Sequence, residues 1–251
     1  MRLEGKVAVI TGAGSSMGFA IAERFVAEGA KVVIADIARA EEAASKLVNA
    51  GHAAIGVKVD IASETEVENM VGEAISKFGQ IDILINNAAL ASANAEIPFE
   101  QITVDQWRRM FDVNAMGMFL TCRAVAPHMR RRKYGRIVNF ASTTVQKGVP
   151  YQLHYVSSKG AVIALTRSLA REIGPDMITV NCIAPGYTLS EGNLANPELV
   201  EKYSAFVRAS RSIPRDAYQQ DLMGGVVFLA SDDAAFITGQ TLNIEGGSIF
   251  R

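Results

Sequence analysis

Short, continuously apolar runs alternate along this chain with longer segments in which apolar residues recur at helical spacing. Continuous apolar runs are typical of strands covered on both faces, since alternation marks strands with one solvated face. They predict strands at residues 6–11, 31–36, 54–60, 81–86, 136–142, 179–184 and 241–244. The segments between them predict helices at residues 18–28, 40–50, 64–78, 104–132, 155–173 and 221–231. Two of these helices begin at capping boxes, Ser63 with Glu66 and Thr103 with Gln106.

This alternation of strands and helices predicts an α/β fold with a parallel, doubly wound sheet and right-handed crossovers. No linker, repeat or low-complexity stretch divides the 251 residues, so we expect a single domain over residues 1–251. Residues 187–218 break the rhythm, because they show no strand signal but contain a helix start at Asn196-Pro197-Glu198. An insert at this position predicts a lid above the carboxyl ends of the strands. A packed surface helix is the alternative.

The overall composition narrows the possible partners. With 49% hydrophobic and 20% charged residues, a large core is possible, and a net charge of -1 provides no electrostatic footprint for nucleic acid or an anionic membrane. No apolar run reaches membrane-spanning length, and the N-terminus lacks the features of a signal peptide. Cys122 and Cys182 lie among apolar residues, which predicts buried thiols and no metal site. We therefore expect a soluble, cytoplasmic protein without nucleic-acid, membrane or metal partners.

A glycine-rich turn follows the first predicted strand and leads directly into a helix, as Thr11-Gly12-Ala13-Gly14-Ser15-Ser16-Met17-Gly18. Glycines let the backbone turn tightly and approach a pyrophosphate, and the helix N-terminus offers free amides to the phosphates. The spacing differs from the usual G-x-G-x-x-G pattern, but the turn opens a strand–helix–strand unit, which is the required context. We therefore predict a dinucleotide site here.

The second predicted strand ends in Asp36, whose carboxylate can accept hydrogen bonds from both hydroxyls of an adenosine ribose. A carboxylate there repels a 2′-phosphate, and no arginine follows immediately to offset it. Arg39 lies three residues later, at a predicted helix start, where solvation is the simpler expectation. These residues predict NAD(H) in preference to NADP(H).

Tyr155 and Lys159 lie four residues apart, on one face of a predicted helix, and Ser142 follows an apolar strand. A phenol has a pKa of about 10, which makes it a poor acid–base catalyst at neutral pH. An ammonium about 4 Å away, at an effective dielectric constant of about 20, would lower that pKa by up to roughly 3 units. The pair then becomes a candidate for moving a proton to or from an alcohol oxygen.

With these residues, the chain resembles the classical short-chain dehydrogenase/reductase family over essentially its whole length. The motifs that carry the resemblance are the glycine-rich turn, Asp60-Ile61, Asn86-Asn87-Ala88-Ala89, Asn114, Ser142, Tyr155 to Lys159, Pro185-Gly186, and the C-terminal residues 228–232, 237–242 and 246–247. The resemblance implies a Rossmann-type sheet of seven strands in the order 3-2-1-4-5-6-7. It also implies a dinucleotide-binding half at about residues 1–140 and a catalytic and substrate half at about residues 141–251.

The family also implies roles for individual residues. Tyr155 would be the general acid/base, assisted by Lys159, while Ser142 would hold the substrate oxygen and Asn114 would position a water that relays protons to Lys159. The implied cofactor-binding residues are Gly12, Ser15, Ser16, Met17, Gly18, Asp36, Asp60, Ile61, Asn87, Ala89, Tyr155, Lys159, Pro185, Gly186 and Thr188. Ser16 and Ala89 depart from the family, which usually has glycine at both positions. A shifted loop and a slightly narrower cleft floor are the expected consequences.

The predicted reaction is hydride transfer between a nicotinamide cofactor and a secondary alcohol or ketone, so that the protein is an NAD-dependent alcohol dehydrogenase or ketoreductase. The predicted substrate pocket contains Ser142, Thr144, Gln152, Tyr155 and Tyr187, with lid residues such as Leu194. Two alternatives stay open, namely an NADPH-dependent 3-oxoacyl-[acyl carrier protein] reductase and a non-catalytic cofactor-binding protein.

Two further expectations concern the surface. Arg208, Arg211 and Arg215 would meet an acidic substrate if they face the pocket, although solvated arginines are the commoner situation. Members of the family are usually homotetramers, so a homotetramer, or failing that a homodimer, is expected, with an apolar face of helix 155–173 available for a partner subunit.

Overall fold

The computed structural model of the chain describes residues 1–90, 96–189 and 197–250. Within these ranges the strands are β1 (Val7–Thr11), β2 (Lys31–Asp36), β3 (Ala54–Lys58), β4 (Ile83–Asn86), β5 (Gly135–Phe140), β6 (Ile178–Pro185), β7 (Thr188–Leu189), β8 (Ala217–Tyr218) and β9 (Thr241–Ile244). The α-helices are α1 (Ser16–Ala27), α2 (Ala40–Asn49), α3 (Glu64–Phe78), α4 (Val104–Phe111), α5 (Met118–Arg132), α6 (Thr144–Lys147), α7 (Leu153–Ile173), α8 (Pro197–Ala209) and α9 (Gln219–Ala230). Short 3₁₀ turns lie at Phe99–Gln101, Gly174–Asp176 and Asp232–Ala234.

Seven of the strands form one parallel sheet in the order β3-β2-β1-β4-β5-β6-β9. This confirms the predicted doubly wound sheet, since β9 is the seventh strand of that sheet in chain order. All the carboxyl ends of the strands therefore lie along one edge, where ligands of such sheets bind. The sheet draws its strands from both halves of the sequence.

Two apolar layers cover the sheet. Alternate strand residues point to opposite faces, so Ile10 and Ile34 pack with α1, α2 and α9, while Val9 and Val33 pack with α3, α5 and α7. All four of these side chains are fully buried. Burial on both faces explains why the strands appear in the sequence as continuous apolar runs. Among the helices that the structure describes, none combines the length and apolar character needed to cross a bilayer.

The long helix predicted over residues 104–132 is wrong as a continuous α-helix. A π-helical segment, Asp112–Gly117, separates α4 from α5. The apolar spacing continues through this segment, so the periodicity of the sequence does not reveal the wider turn. Single π turns inside α-helices are frequent at functional sites, and this one contains the buried Asn114.

The expectation that residues 187–218 lack strands is also wrong. Thr188–Leu189 pairs in parallel with Ala217–Tyr218, outside the main sheet. Two residues are too few to show a strand period in a sequence. The predicted helix in this segment is confirmed as α8, with Pro197 at its first position. In the sequence, β7 precedes this helix and β8 follows it. Asn196 and Leu194 lie outside the described residues.

A buried chain of polar side chains crosses the middle of the sheet and connects α5 with α7. The Thr121 hydroxyl donates to Asn86 Oδ1 (2.7 Å), Asn86 Nδ2 donates to Asn139 Oδ1 (2.9 Å), and Asn139 Nδ2 donates to Thr166 Oγ1 (2.9 Å). Each of these side chains is at most 2% exposed. Because buried amides without partners are costly, this fully bonded chain holds the two helices in one register relative to β4 and β5.

Candidate active site

Five strands end close together at the carboxyl edge of the sheet, and the residues predicted to be functional follow from those ends. β1 ends at Thr11, β2 at Asp36, β4 at Asn86, β5 at Phe140 and β6 at Pro185. The loops that leave these ends carry the glycine-rich turn, Asn87, Ser142 and Gly186, so the parallel topology brings the predicted cofactor and catalytic residues to one edge.

The glycine-rich turn packs tightly against the end of β4. Gly12 has a φ of +63°, and a Cβ atom there would lie 2.7 Å from the Cα of Ala88. A Cβ on Gly18 would lie 2.1 Å from the Gly12 carbonyl oxygen. No side chain larger than glycine fits at either position. The Ser15 side chain makes no capping bond to α1, so the first amides of this helix are available to an anion.

Thr11 and Asn87 hold this turn in place. Thr11 Oγ1 accepts hydrogen bonds from the amides of Asn87 and Ala88, both at 3.1 Å. Asn87 Nδ2 donates in return to the carbonyl oxygens of Thr11 (3.0 Å) and Gly12 (3.1 Å). The side chain of Asn87 therefore shapes the cleft by fixing the turn, while Ala89 is exposed on the cleft floor.

The carboxylate of Asp36 is fixed by backbone amides at the end of β2. Its Oδ2 accepts from Gly14 N (3.0 Å), and its Oδ1 accepts from Ala38 N (2.9 Å) and Arg39 N (3.1 Å). A Cβ on Gly14 would lie 2.6 Å from the Asp36 Cγ, so glycine is required for this approach. The arrangement places a negative charge beside the glycine-rich turn, where the ribose of a dinucleotide would lie.

Ser16, one of the two departures from the family pattern, adopts the left-handed conformation that favours glycine, with a φ of 53°. Its hydroxyl accepts a 3.2 Å hydrogen bond from Gln219 Nε2 at the start of α9. The loop therefore keeps the conformation that a glycine would adopt, and the side chain of Ser16 acquires a partner that is distant in the sequence.

Asp60 and Ile61 follow β3 and complete the predicted adenine side. Asp60 Oδ1 accepts from Ala62 N at 2.9 Å, and its Oδ2 lies 3.4 Å from the Arg109 guanidinium. Ile61 is buried, and its side chain lies beneath the π segment, since a Cβ on Gly117 would be 2.8 Å from Ile61 Cδ1. Glycine at 117 thus allows the π segment to pack directly on Ile61.

Pro185 and Gly186 continue from β6 toward the predicted nicotinamide end. The Pro185 carbonyl accepts from the amide (3.1 Å) and hydroxyl (3.0 Å) of Thr143, which ties the end of β6 to the residue after Ser142. Gly186 N donates to the Ile244 carbonyl at 3.1 Å, and Thr188 Oγ1 donates to the Gly186 carbonyl at 3.0 Å. The loop is therefore held on both sides by neighbouring strands.

The catalytic candidates come from β5 and α7. Ser142 is buried just beyond β5, Tyr155 is half-buried in the first turn of α7, and Lys159, one turn later, is only 3% exposed. Lys159 Nζ lies 5.9 Å from the centre of the Tyr155 ring and donates a 2.8 Å hydrogen bond to the Phe140 carbonyl. The hydroxyl and the amide of Thr144 both bond to Ser142 Oγ, at 3.0 and 3.2 Å.

Burial governs the proton affinities of these groups. It raises the pKa of Tyr155, and the interaction with the Ser142 hydroxyl lowers that pKa. Burial also lowers the pKa of Lys159 to about 8. The sequence-based expectation assigned the lowering of the Tyr155 pKa to Lys159. In the structure Ser142 is the group that favours the phenolate, and Lys159 directs its ammonium to the Phe140 carbonyl.

The side chain of Asn114 is committed to neighbouring protein groups. Its Oδ1 accepts from Leu90 N (2.8 Å), and its Nδ2 donates to the Leu90 carbonyl (3.0 Å) and to Ser158 Oγ (3.1 Å). Ser158 Oγ in turn donates to the Tyr155 carbonyl at 2.7 Å. Asn114 therefore connects the loop after β4 with the turn of α7 that carries Tyr155.

The predicted substrate side of the cleft brings together the loop after β6 and helix α8. The rings of Tyr187 and Tyr203 lie 6.3 Å apart, and the Tyr203 hydroxyl bonds to Glu96. The Tyr187 hydroxyl is buried without a hydrogen-bond partner among the described residues. Gln152, directly before α7, is half-buried, and its carbonyl accepts from Val156 N at 2.9 Å. Of the predicted pocket, Leu194 lies outside the described residues.

The three arginines that an acidic substrate would need already have protein partners. Arg211 is buried and donates to the carbonyls of Tyr187 (2.6 Å) and Arg215 (2.7 Å). Arg208 pairs with Asp216 at 2.7 Å, and Arg215 makes a two-bond pair with Asp221 at 2.6 and 2.7 Å. These contacts fix the C-terminal end of α8 and the loop that follows it, and they favour a structural role for all three guanidinium groups.

Several residues that shape the site were missed by sequence reasoning. The Thr11 hydroxyl, Ser158 and the Thr144–Ser142 bonds are of this kind. A serine followed two residues later by a threonine is a pattern that forms side-chain-to-amide turns, so Thr144 had a detectable signal. The roles of Thr11 and Ser158 depend on tertiary contacts. His154 is buried with Nδ1 unpartnered among the described residues, and burial lowers its pKa.

The chain is similar over nearly its whole length to a protein family and to known dehydrogenases. The family model described as Enoyl-(Acyl carrier protein) reductase matches residues 12–248. The chain is 38% identical over 259 residues to galactitol 2-dehydrogenase of Agrobacterium fabrum, covering 99% of each protein. It is 36% identical over 253 residues to meso-2,3-butanediol dehydrogenase of Serratia marcescens, covering 99% of this chain and 96% of that protein.

The fold is also similar to a solved structure. The crystal structure of a putative gluconate dehydrogenase from Agrobacterium tumefaciens superposes with a TM-score of 0.89 at 32% sequence identity. The match covers 98% of this chain and 96% of that one. Similarity over nearly the whole length means that the sheet, the glycine-rich turn and the residues after β6 all fall within the shared architecture.

Proposed function

Because the chain belongs to the classical short-chain dehydrogenase/reductase family of oxidoreductases, we propose that it interconverts a secondary alcohol and a ketone by hydride transfer with NAD(H). The observation that supports this best is the position of Tyr155, Lys159 and Ser142 at the same edge of the sheet as the glycine-rich turn. A proton-transfer group and a dinucleotide cradle at one edge are what this reaction requires.

The residues at this edge fit a dinucleotide. The cradle at Gly12 and Gly18 has no room for a Cβ, and the free amides of α1 can bind a pyrophosphate. Asp36 would accept bonds from the adenosine ribose, and Lys159 would bind the nicotinamide ribose. When bound, the nicotinamide cofactor accepts or supplies the hydride.

We assign the proton transfer to Tyr155. In oxidation its phenolate takes the proton of the substrate alcohol, and in reduction its hydroxyl returns a proton to the forming alkoxide. Ser142 donates a second hydrogen bond to the same oxygen and stabilises its developing charge. The ammonium of Lys159, buried behind Tyr155, favours the phenolate further once the substrate and cofactor exclude water from the cleft.

The proposed proton relay needs a hydrogen-bonding group at or near Asn114 that can hold a water. The Asn114 side chain is bonded to Leu90 and Ser158, so its amide is occupied. α7 packs directly on the π segment that contains Asn114. We therefore propose that the backbone of this segment, rather than the side-chain amide, holds a water on the path from Lys159.

The proposed preference for NAD(H) is supported by the fixed carboxylate of Asp36. Two of its neighbours in the fold, Gly14 and Ala38, orient it through their amides, so it cannot turn away from a 2′-phosphate without losing these bonds. The repulsion between the Asp36 carboxylate and a 2′-phosphate about 4 Å away would cost about 1–4 kcal/mol, depending on the exposure of the two charges. A higher kcat/KM with NADPH than with NADH would contradict the proposal.

The proposed substrate class is a diol or polyol, or the corresponding ketone. The two enzymes compared above are named for galactitol and 2,3-butanediol, which are both polyhydroxylated. The unpartnered hydroxyl of Tyr187 gives the pocket a polar group that a substrate hydroxyl could bond. The second candidate is reduction of a 3-oxoacyl group on an acyl carrier protein, which is supported by 32% identity over 246 residues to a 3-oxoacyl-[acyl-carrier-protein] reductase of Staphylococcus epidermidis.

The experiment is a screen of NAD-linked oxidation with secondary alcohols, polyols and hydroxy acids, together with NADPH-linked reduction of a 3-oxoacyl thioester. We expect turnover with a polyol or diol. Tyr155→Phe should retain less than a tenth of the wild-type kcat while binding NADH with nearly unchanged affinity. NADH binding without turnover of any alcohol or ketone would instead favour a non-catalytic protein.

We also propose a homotetramer in the cytoplasm. Apolar side chains are exposed on the continuous α4–π–α5 arm, including Trp107 (37%), Met116 (41%) and Phe119 (47%), and a partner subunit would cover them. Elution at the mass of a monomer in size exclusion with light scattering would contradict this assembly. The cytoplasmic location rests on the sequence alone.

A further inference from the structure

Thr144 makes two hydrogen bonds to the same atom, the Oγ of Ser142. Its hydroxyl donates at 3.0 Å and its backbone amide donates at 3.2 Å. Ser142 is buried, and Thr144 opens the short helix α6 immediately after it. Two donors from one residue therefore converge on the oxygen that we place against the substrate.

This arrangement determines what Ser142 can do. A hydroxyl oxygen has two lone pairs and one hydrogen. The amide of Thr144 can only donate, so it occupies one lone pair, and the Thr144 hydroxyl occupies the other. Ser142 is then saturated as an acceptor, and its single hydrogen is left to donate to one acceptor at a time, to Tyr155 in the free protein or to the reacting oxygen when a substrate is bound.

We propose that Thr144 is a positioning residue of the reaction, whose hydroxyl orients the Ser142 hydroxyl as a hydrogen-bond donor, to Tyr155 in the free protein and to the reacting oxygen when a substrate is bound. The proposal rests on the proposed function for its effect on turnover. Its effect on Tyr155 is independent of any substrate. Thr144 acts through Ser142 and transfers no proton itself.

The expected consequence concerns the ionisation of Tyr155. Donation from Ser142 lowers the pKa of Tyr155, in opposition to burial. Without the Thr144 hydroxyl, a lone pair of Ser142 Oγ becomes free, and the Ser142 hydrogen can turn away from Tyr155. The phenolate is then less stable, so the pKa of Tyr155 rises. A hydrogen bond has a net value of about 0.5–1.5 kcal/mol, which corresponds to a rise of up to about 1 pH unit.

The test compares Thr144→Val, which removes only the hydroxyl function, with Thr144→Ser, which keeps it. Thr179→Val is the matched control, because the Thr179 hydroxyl is buried and makes no hydrogen bond among the described residues. The first readout is the tyrosinate absorbance of the purified protein during alkaline titration. Subtracting the same titration of Tyr155→Phe isolates the contribution of Tyr155. The second readout is the pH profile of kcat for oxidation.

We expect Thr144→Val to move the Tyr155 titration and the rising limb of the kcat profile upward by about half to one pH unit. At neutral pH, kcat should fall about 3- to 10-fold, with the Kd for NADH unchanged. Thr144→Ser should restore both profiles, and Thr179→Val should leave both unchanged.

Two results would overturn the proposal. One is an unaltered Tyr155 titration in Thr144→Val, and the other is an equal shift in Thr144→Ser, which would mean that the hydroxyl is irrelevant. If Thr144→Val does not fold, Thr144→Ala gives the same comparison with the smaller side chain. If no substrate is turned over, the proposed function fails, but the titration of Tyr155 still decides the role of Thr144.

Discussion

Lys159 Nζ donates a 2.8 Å hydrogen bond to the carbonyl oxygen of Phe140, the last residue of β5. Ser142 follows two residues later, so this bond ties the helix of Tyr155 directly to the strand end that carries Ser142. Lys159 is 3% exposed, and burial lowers its pKa to about 8. The protein therefore keeps a cation in its interior at neutral pH, at a cost in stability.

We expect Lys159→Met to abolish most activity and yet to stabilise the fold at pH 7. Lowering the Lys159 pKa from 10.5 to about 8 corresponds to a cost of about 3 kcal/mol. Loss of the bond to Phe140 offsets about 1 kcal/mol of the gain. Urea denaturation at pH 7 should show a free energy of unfolding that is about 1–2 kcal/mol higher in the variant.

The sign of this effect also predicts its pH dependence. Between pH 8 and 10.5 the unfolded chain still binds a proton at Lys159 that the folded protein has lost. The free energy of unfolding of the wild type therefore rises with pH in this range, as the cost of burying the ammonium is removed. The advantage of Lys159→Met should therefore disappear by the upper end of that range. A variant less stable than wild type at pH 7 would show that the buried ammonium carries no net cost.

A second prediction concerns Asn114→Leu, which has a similar shape but no amide. The amide and carbonyl of Leu90 would lose their partners, and we expect the free energy of unfolding to fall by about 2–4 kcal/mol. Asn181→Leu is the control, since Asn181 binds the Ile237 carbonyl and the Gln240 amide in the same manner. Both variants should be destabilised, but only Asn114→Leu should lower kcat. An equal loss of kcat in both variants would mean that Asn114 only stabilises the fold and has no separate role in the reaction.

Position 16 allows a test of backbone strain in the glycine-rich turn. Ser16 has a φ of 53°, where a Cβ costs about 1 kcal/mol, so Ser16→Gly should be more stable than Ser16→Ala by about that amount. Ala20 lies inside α1, where glycine costs about 1 kcal/mol relative to alanine, so there the order should reverse and Ala20→Gly should be less stable than the wild type, which has alanine at that position. Thermal denaturation of the four proteins measures both differences. The same order at both positions would contradict the left-handed conformation of Ser16.

The fourth prediction separates the loop after β6 from the cofactor site. Arg211→Lys keeps the charge but cannot reach the carbonyls of both Tyr187 and Arg215. We expect the KM for the substrate to rise several-fold, with the Kd for NADH unchanged, because Tyr187 is placed on the substrate side. Arg208→Lys is the control, since Arg208 makes a more exposed pair with Asp216. An altered Kd for NADH in Arg211→Lys would place Tyr187 on the cofactor side instead.

The sequence pattern by itself determined the parallel, doubly wound sheet, the extent of most helices and the positions of the glycine-rich turn, Asp36 and Tyr155, while the strand order came from the resemblance to the family. Covered strands and amphipathic helices have their own local periods, and a parallel strand–helix alternation permits few topologies. Predicted strand limits agree with the observed ones to within two residues, and the residues 64–78 predicted for α3 match Glu64–Phe78.

Only the tertiary structure decided how the residues at this edge are held. Asn114 meets Leu90, and Arg211 meets Tyr187, each across 24 residues, while Gln219 reaches Ser16 across 203. The π segment at Asp112–Gly117 and the direction of the Lys159 ammonium also depend on what packs against them. Such contacts produce no periodic pattern in a sequence, because each joins two residues that become neighbours only when the protein has folded.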